Sequence, residues 1–281
     1  MLPFAIPFPD VSPVAFSVGP FDVRWYGLAY SAGIILAWLT IRRLLQNPRL
    51  WGGKPPFAAD VADHLVLYVI IGAVVGGRFG QALLYDAGYY AENPFEILKA
   101  WKGGLSFHGA IIGSGLAILY FAHRMQRSAL TAMDLCCAGM TLTMVIGRLA
   151  NFVNSEHWGR VTDVSWGMIF PNGGPLPRHP SQLYEAALEG LVMFVIIRFV
   201  THYLLALQRP GFTAGIWLVW YGIARIIAEF FREPEVGHWL NIGAFTAGQF
   251  YCIPMILFGA YLIATAKPAA QPVNPEASTA P

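Results

Sequence analysis

Residues 147–159 read Gly-Arg-Leu-Ala-Asn-Phe-Val-Asn-Ser-Glu-His-Trp-Gly and follow directly on an apolar run at 133–146. An arginine, two asparagines and a glutamate therefore emerge from what reads as a membrane helix. Arg148, Asn151 and Ser155 fall at i, i+3 and i+7, one polar stripe on a 3.6-residue period. An arginine well inside a bilayer costs roughly 2.5 kcal/mol or more, so such a stripe faces a cavity, a partner or a ligand rather than lipid. Two readings fit: an Arg–Glu pair that holds two helices together, or an anion site to which Arg148 brings charge and Asn151 and Asn154 bring hydrogen bonds.

Composition sets the class. Of 281 residues, 56% are hydrophobic and 12% charged, and the mean hydropathy is +0.51. That is too few charges to cover a soluble globule, so the chain reads as an all-α polytopic membrane protein. A net charge of +2 is too small to imply a nucleic-acid partner, no basic tract suggests one, and none is expected. No amino-terminal signal peptide is visible: residues 1–20 hold no lysine or arginine and five prolines. Residues 1–23 are expected to be an irregular interfacial segment, with Phe4, Phe8 and Phe16 in the headgroups.

Seven stretches approach the roughly 17–25 residues a bilayer demands, at about 25–45, 63–84, 104–123, 133–152, 182–204, 212–230 and 245–266. Glycines and polar residues in the third and sixth suit helices that line a cavity. Arg42, Arg43, Arg49, Lys54, Arg124, Arg127, Arg209 and Lys267 gather in the first, third and fifth connections and the tail. The positive-inside rule puts these in the cytoplasm and the N-terminus outside. Seven spans then leave the C-terminus inside, with a disordered tail over 268–281.

This topology brings the unusual polar residues to one side. Arg148, Asn151, Asn154, Glu156 and Gly159 close the fourth span, and Tyr26 opens the first. Arg78, Gln81 and Tyr85 end the second, His108 begins the third, and Arg225, Glu229 and Arg232 close the sixth at i, i+4 and i+7. Convergence from five spans predicts a polar cavity open to the outer leaflet. Each residue also has a plainer role: His108 as a hydrogen-bonded structural residue, Tyr26 in the interfacial aromatic belt, and Arg225 paired with Glu229. That last orientation is the poorer one for a helix pair, so a further partner for Arg225 is expected. A long loop at about 154–181, rich in Gly and Pro, covers this side.

The run Gly147-Arg148-x-x-Asn151-Phe152-x-Asn154-x-Glu156-x-x-Gly159 resembles the signature of the bacterial phosphatidylglycerol:prolipoprotein diacylglyceryl transferases. Four further matches accompany it: Arg24-Trp25-Tyr26-Gly27, Ser106-Phe107-His108-Gly109, the run from Arg178 to Glu185, and Tyr221-Gly222-x-x-Arg225 followed by Glu229-Phe230-Phe231-Arg232. Ala110 stands where the family usually has a second glycine, and Ala247-Gly248-Gln249 where Met-Gly-Gln is expected.

The resemblance implies an enzyme of the bacterial inner membrane. It would move a diacylglyceryl group from phosphatidylglycerol to the lipobox cysteine thiol of a prolipoprotein, forming a thioether and releasing glycerol phosphate. No cluster of residues has metal-ligand spacing, and neither metal nor cofactor is expected. Arginines must then receive the phosphate, and Arg148 and Arg225 are the natural clamp. The thiolate is the nucleophile. A histidine near pKa ~6.5 faces a thiol near ~8.5, a gap of about 2.7 kcal/mol that nearby arginines narrow, so His108 can serve as base or can only orient the headgroup. Glu156 and Glu229 would orient the arginines, while Tyr26, Arg78, Asn151, Asn154, Gly159 and Arg232 would complete the lipid site. The chain's own Cys136, Cys137 and Cys252 lie within predicted spans, and the acceptor cysteine belongs to the other substrate. The rival class is a transporter or channel for an anionic solute or lipid, which predicts polar residues through to the cytoplasmic half, or two related halves. Neither is evident.

Overall fold

The computed structural model of the protein describes residues 6–100, 103–234 and 246–269. It is mostly helical. The long helices are α1 (Trp25–Leu45), α2 (Val61–Gly80), α4 (Phe107–Arg124), α9 (Phe212–Glu229) and α10 (Ala247–Thr265), with a short α3 (Ala87–Glu92) after α2. α5 (Ala129–Gly139) and α6 (Thr141–Val153) form a rod bent by 44° at Met140. α7 (Ser181–Glu185) runs through a π-helical turn, Ala186–Val192, into α8 (Met193–His202). Four helices, together with the bent α5–α6 pair, are long and apolar enough to cross a membrane. Large apolar side chains on α2, α4 and α10 face outward, among them Ile71, Val75, Ile112, Leu116, Leu257 and Phe258. Outward apolar faces at this density belong in lipid, and the chain is a polytopic membrane protein.

Between helices in lipid there is little hydrophobic drive, so close packing must hold them together. α2 and α4 meet along Gly72, Gly76 and Gly80 on one side and Gly109 and Gly113 on the other. A methyl group built on Gly113 would overlap the carbonyl oxygen of Gly72, and one on Gly109 that of Gly76. The glycines of the third span, expected at a cavity, thus serve as a helix seam. α9 and α10 repeat the device at Gly215 and Gly259. The main apolar core lies toward the other end of the bundle, where Leu44, Leu65, Phe121, Leu135, Ile197 and Leu207 are buried together. There Asp134 of α5 accepts hydrogen bonds from the backbone N–H groups of Gly211 and Ala214, both 2.7 Å, and so satisfies orphan donors at the start of α9.

The amino-terminal segment departs from expectation. It contains a hairpin of β2 (Val14–Val18) and β3 (Phe21–Arg24), while β1 (Ile6–Pro7) pairs in parallel with β4 (Met168–Ile169) of the long loop. The wholly α description therefore omits a small β cap. Phe16 is exposed as expected, but Phe8 packs on Phe152 and Phe170, with ring centroids 5.2 and 5.4 Å away. Aromatic contact with the end of α6 outcompetes the headgroup region for that ring. Phe4, the start of the seventh predicted span and the tail beyond 269 lie outside the described residues.

The α2–α4 seam gives a direct test. Gly113→Val forces the helices apart and, at about 1–3 kcal/mol for overpacking, lowers the thermal unfolding midpoint of detergent-solubilised protein. Gly115→Ala has open space around the added methyl group and leaves the midpoint unchanged or raised. Equal midpoints for the two variants would refute the seam.

Candidate functional site

Three helical segments bring their charged residues to one point. The apolar α6 carries Arg148, α7 and the π turn carry Glu185 and Glu189, and the end of α9 carries Arg225 and Glu229. Glu185 and Glu189, four residues apart, share one face of their helix. Gly190 lets α6 approach, since a methyl group there would come within 2.5 Å of the Val145 side chain. Trp220 of α9 donates to Leu188 O in the π turn at 2.9 Å. A π turn inside an α-helix is an unusual conformation often found at functional sites.

Arg148 is held by all three of its nitrogens. Nη1 lies 2.7 Å from Glu185 Oε2, and Nη2 and Nε donate to Glu189 Oε2 at 2.8 and 3.1 Å. Arg225 reaches the same carboxylates with Nη1, at 3.5 Å from Glu185 and 3.7 Å from Glu189, while its Nη2 pairs with Glu229 at 2.8 Å. Arg232 adds a contact to Glu185 Oε1 at 3.4 Å. Glu185 and Glu189 are both 0% exposed. The formal charges of these three arginines and three glutamates balance, which is what makes such deep burial tolerable. Arg225 Nη1 nevertheless makes no hydrogen bond, and Glu189 Oε1 likewise has none, whereas Glu185 Oε2 is met by the Arg148 ion pair. Both expectations for Arg225 hold: it pairs with Glu229, and it has further partners.

The following turn is strained around this cluster. Ser155 and His157 adopt left-handed backbone, with φ of 52° and 59°. Glu156 accepts from Asn151 Nδ2 at 2.6 Å, and its own carbonyl accepts from Gln182 Nε2 at 2.7 Å. The carboxylates described as orienting Arg148 are Glu185 and Glu189, whereas Glu156 fixes the asparagine. Asn154 Oδ1 and Ser155 Oγ are buried without a hydrogen-bond partner. Arg232 Nη2 lies 3.1 Å from His157 Nδ1. A guanidinium can only donate, so Nδ1 accepts and the imidazole proton sits on Nε2. Burial, and then the charge of Arg232, hold His157 below its ordinary pKa.

The remaining predicted residues divide. Tyr26, in the first turn of α1, places its hydroxyl 3.0 Å from that of Tyr30 and within the electrostatic reach of Glu156 and Arg148. His108 stands in the first turn of α4, with Nδ1 3.1 Å from the Tyr85 hydroxyl and its ring edge-on to Tyr251 of α10. α10 also approaches the cluster at Gly248, where an added methyl group would lie 3.0 Å from the Glu229 carboxylate. Arg78, expected at the lipid, donates instead to the backbone carbonyls of Glu96, Ile97, Lys99, Gly103 and Gly104. Its three nitrogens organise the connection into α4. Gly159, expected in the same role, is packed against the carbonyls of Phe231 and His179, where a side chain would collide. Its N–H donates to His179 O at 2.9 Å.

Two carboxylates of the cluster, Glu185 and Glu189, were not among the predicted site residues, although Glu185 lies in a matched motif. Their signal is in the sequence: two acids one helical turn apart inside a predicted span. His157 sits in the organising stretch itself.

The family profile described as prolipoprotein diacylglyceryl transferase matches residues 13–265. A Rhodopseudomonas palustris protein named phosphatidylglycerol–prolipoprotein diacylglyceryl transferase is 46% identical over 264 residues, covering 93% of this chain and 92% of its own length. Proteins of the same name from Mesorhizobium japonicum and Rhizobium meliloti are similar. The first is 44% identical over 282 residues, with 99% of this chain and 98% of the relative covered. The second is 45% identical over 272 residues, with 94% and 95% covered. On identity at this level along nearly the whole length, the chain belongs to the prolipoprotein diacylglyceryl transferase family.

Proposed function

We propose that this chain transfers the sn-1,2-diacylglyceryl group of phosphatidylglycerol to the lipobox cysteine of a prolipoprotein. The observation that carries this reading is the joint seating of Arg148 and Arg225 on Glu185 and Glu189 in a family whose named members act on those substrates. The seven helical stretches are read as seven spans of the bacterial inner membrane, with α4 and the α7–α8 rod joining the longer helices. The N-terminus is periplasmic and the C-terminus cytoplasmic. The cluster then opens toward the outer leaflet, where both substrates arrive.

In the reaction the cysteine thiolate attacks the terminal glyceryl carbon, the carbon–oxygen bond to phosphate breaks, and glycerol phosphate departs with the bonding electrons. His108 takes the thiol proton. Arg225 receives the phosphodiester first through Nη1, which lacks a hydrogen bond in this structure. Arg148 completes the clamp by exchanging part of its carboxylate contacts for phosphate oxygens, a geometry suited to the guanidinium fork. Glu185, Glu189 and Glu229 hold the two arginines in place. Asn151, set by Glu156, and Asn154 supply hydrogen bonds to the headgroup, and Tyr26 borders it. Arg232 braces Glu185 from beside the substrate.

An assay with phosphatidylglycerol and a lipobox peptide tests these assignments. Arg148→Gln and Arg225→Gln each lower kcat about 100- to 1,000-fold, the scale for removing a preorganised electrostatic contact. His108→Ala loses thioether product but keeps phosphatidylglycerol binding; full activity in that variant would end its role as base. Acid sensitivity offers a second measurement. His157 binds protons less readily in the folded protein than in the unfolded chain. Its contribution to stability is therefore complete above about pH 6.5 and falls as pH drops through that value. Burial shifts His179 the same way. Thermal unfolding across pH 5–7.5 loses part of its acid slope in His157→Gln, and an unchanged slope would contradict the burial of a neutral His157 beside Arg232.

A further inference from the structure

At the opposite end of the α7–α8 rod is a second basic site that the transfer reaction does not use. An open groove of about 560 Å³ lies between the connection after α1 and the end of α8. Arg49, Arg198 and His202 supply its polar lining, while Phe194, Val195 and Phe199 supply an apolar wall. Phe199 stacks on Tyr203 with ring centroids 5.5 Å apart. Val195, Phe199 and Tyr203 are 58%, 52% and 76% exposed. At about 1.5 Å per helical residue, Arg198 is roughly 13 Å along the rod from Glu189, and His202 roughly 25 Å from Glu185.

The charge here is one-sided. His202 lies in the field of both Arg198 and Arg49. Among the described residues neither arginine forms a salt bridge, in contrast to Arg148, Arg225 and Arg232. The position of Arg49 is also built rather than accidental. It lies in a 3₁₀ turn, Pro48–Trp51, whose neighbour Leu50 is 1% exposed, and its carbonyl accepts from Gln208 Nε2 at 3.4 Å. Trp51 Nε1 fixes the same turn to Leu44 O at 2.9 Å.

We propose that this groove binds one anionic glycerophospholipid of the cytoplasmic leaflet, with its phosphate between Arg49 and Arg198 and an acyl chain along Val195 and Phe199. Charge complementarity selects the anion, and the exposed apolar wall continuous with it selects a lipid over a soluble phosphate. The position follows from the membrane orientation given above, in which the connection holding Arg42, Arg43, Arg49 and Lys54 faces the cytoplasm. The lipid would brace the end of the rod that carries Glu185 and Glu189 at its far end.

Native mass spectrometry of the full chain, exchanged from detergent into mixed phosphatidylserine and phosphatidylcholine, tests the proposal without using the transfer substrate as probe. The wild type retains a phosphatidylserine that Arg49→Gln/Arg198→Gln binds about 25-fold more weakly, at about fivefold for each basic residue near a lipid surface. Both side chains are exposed, and the double variant keeps diacylglyceryl transfer in detergent, which shows it is folded. Arg198→Lys retains most of the binding. Equal phosphatidylserine retention by wild type and double variant overturns the site, as does equal retention of phosphatidylcholine at that site. Saturation by inorganic phosphate with no lipid retained also overturns it.

Discussion

Three arginines and three glutamates at the meeting of α6, the α7–π rod and α9 are the constraint to which the rest of the molecule is fitted. Removing one partner from a buried ion pair costs about 3–5 kcal/mol, because the other charge is left without compensation. Several features far apart in sequence serve this one arrangement. Gly190 lets α6 lie against the π turn, and Asp134 anchors the far end of the helix that delivers Arg225 and Glu229. The left-handed turn at Ser155 and His157 brings the chain round so that His157 meets Arg232. Local backbone strain persists only where the surroundings over-determine it, and here they do.

A charge-balanced cluster has a consequence for anion chemistry. Were the arginines unopposed, they would hold the phosphodiester of the ground state tightly and contribute little to the rate. Uniform binding lowers KM without raising kcat. With carboxylates already in contact, the headgroup of the proposed reaction would compete for the guanidiniums on modest terms. In the reaction proposed above, the departing phosphate gains negative charge as its bond to carbon breaks, so its attraction to Arg148 and Arg225 would grow along the reaction. Arrangements of fixed dipoles and charges catalyse through that difference. Arg225 suits the proposed first contact because its Nη1 stands 3.5 and 3.7 Å from the carboxylates, beyond good hydrogen-bond distance.

Much of this was legible in the sequence. The stripe of Arg148 and Asn151 and the Arg225–Glu229–Arg232 face could be read because helical periodicity relates residues within one segment. What periodicity cannot relate is residues on different segments, and Glu185 and Glu189 were missed as the shared partners for that reason. Arg78 shows a related limit, because its backbone partners could not be read in advance. An arginine at the end of a span attracts a functional reading, yet backbone carbonyls of a loop satisfy a guanidinium as well as a phosphate does, and loop carbonyls leave no mark in a sequence. Gly159 illustrates the same ambiguity, since a glycine that admits a substrate and one that admits a neighbouring backbone look alike until the neighbours are known. The β cap was hidden because β1 and β4 are two-residue pieces, too short for any alternation to register.

The division of the molecule into an apolar end and a polar end explains how a membrane protein can carry so many buried charges. Around Leu65, Leu135 and Ile197 the helices are closed by ordinary side-chain packing. Along α2 and α4 they are closed by glycine contacts that need no polar group. At the cluster, ion pairs add to the close approach of α6 at Gly190. The arginine at 148 suits that combination. Its three nitrogens address two carboxylates from one rigid plane, whereas a lysine would present a single point charge on a flexible stem. A planar fork that bridges two acids at rest has the right shape to bridge a carboxylate and a phosphate oxygen, so the same geometry would serve both the folded state and the proposed chemistry.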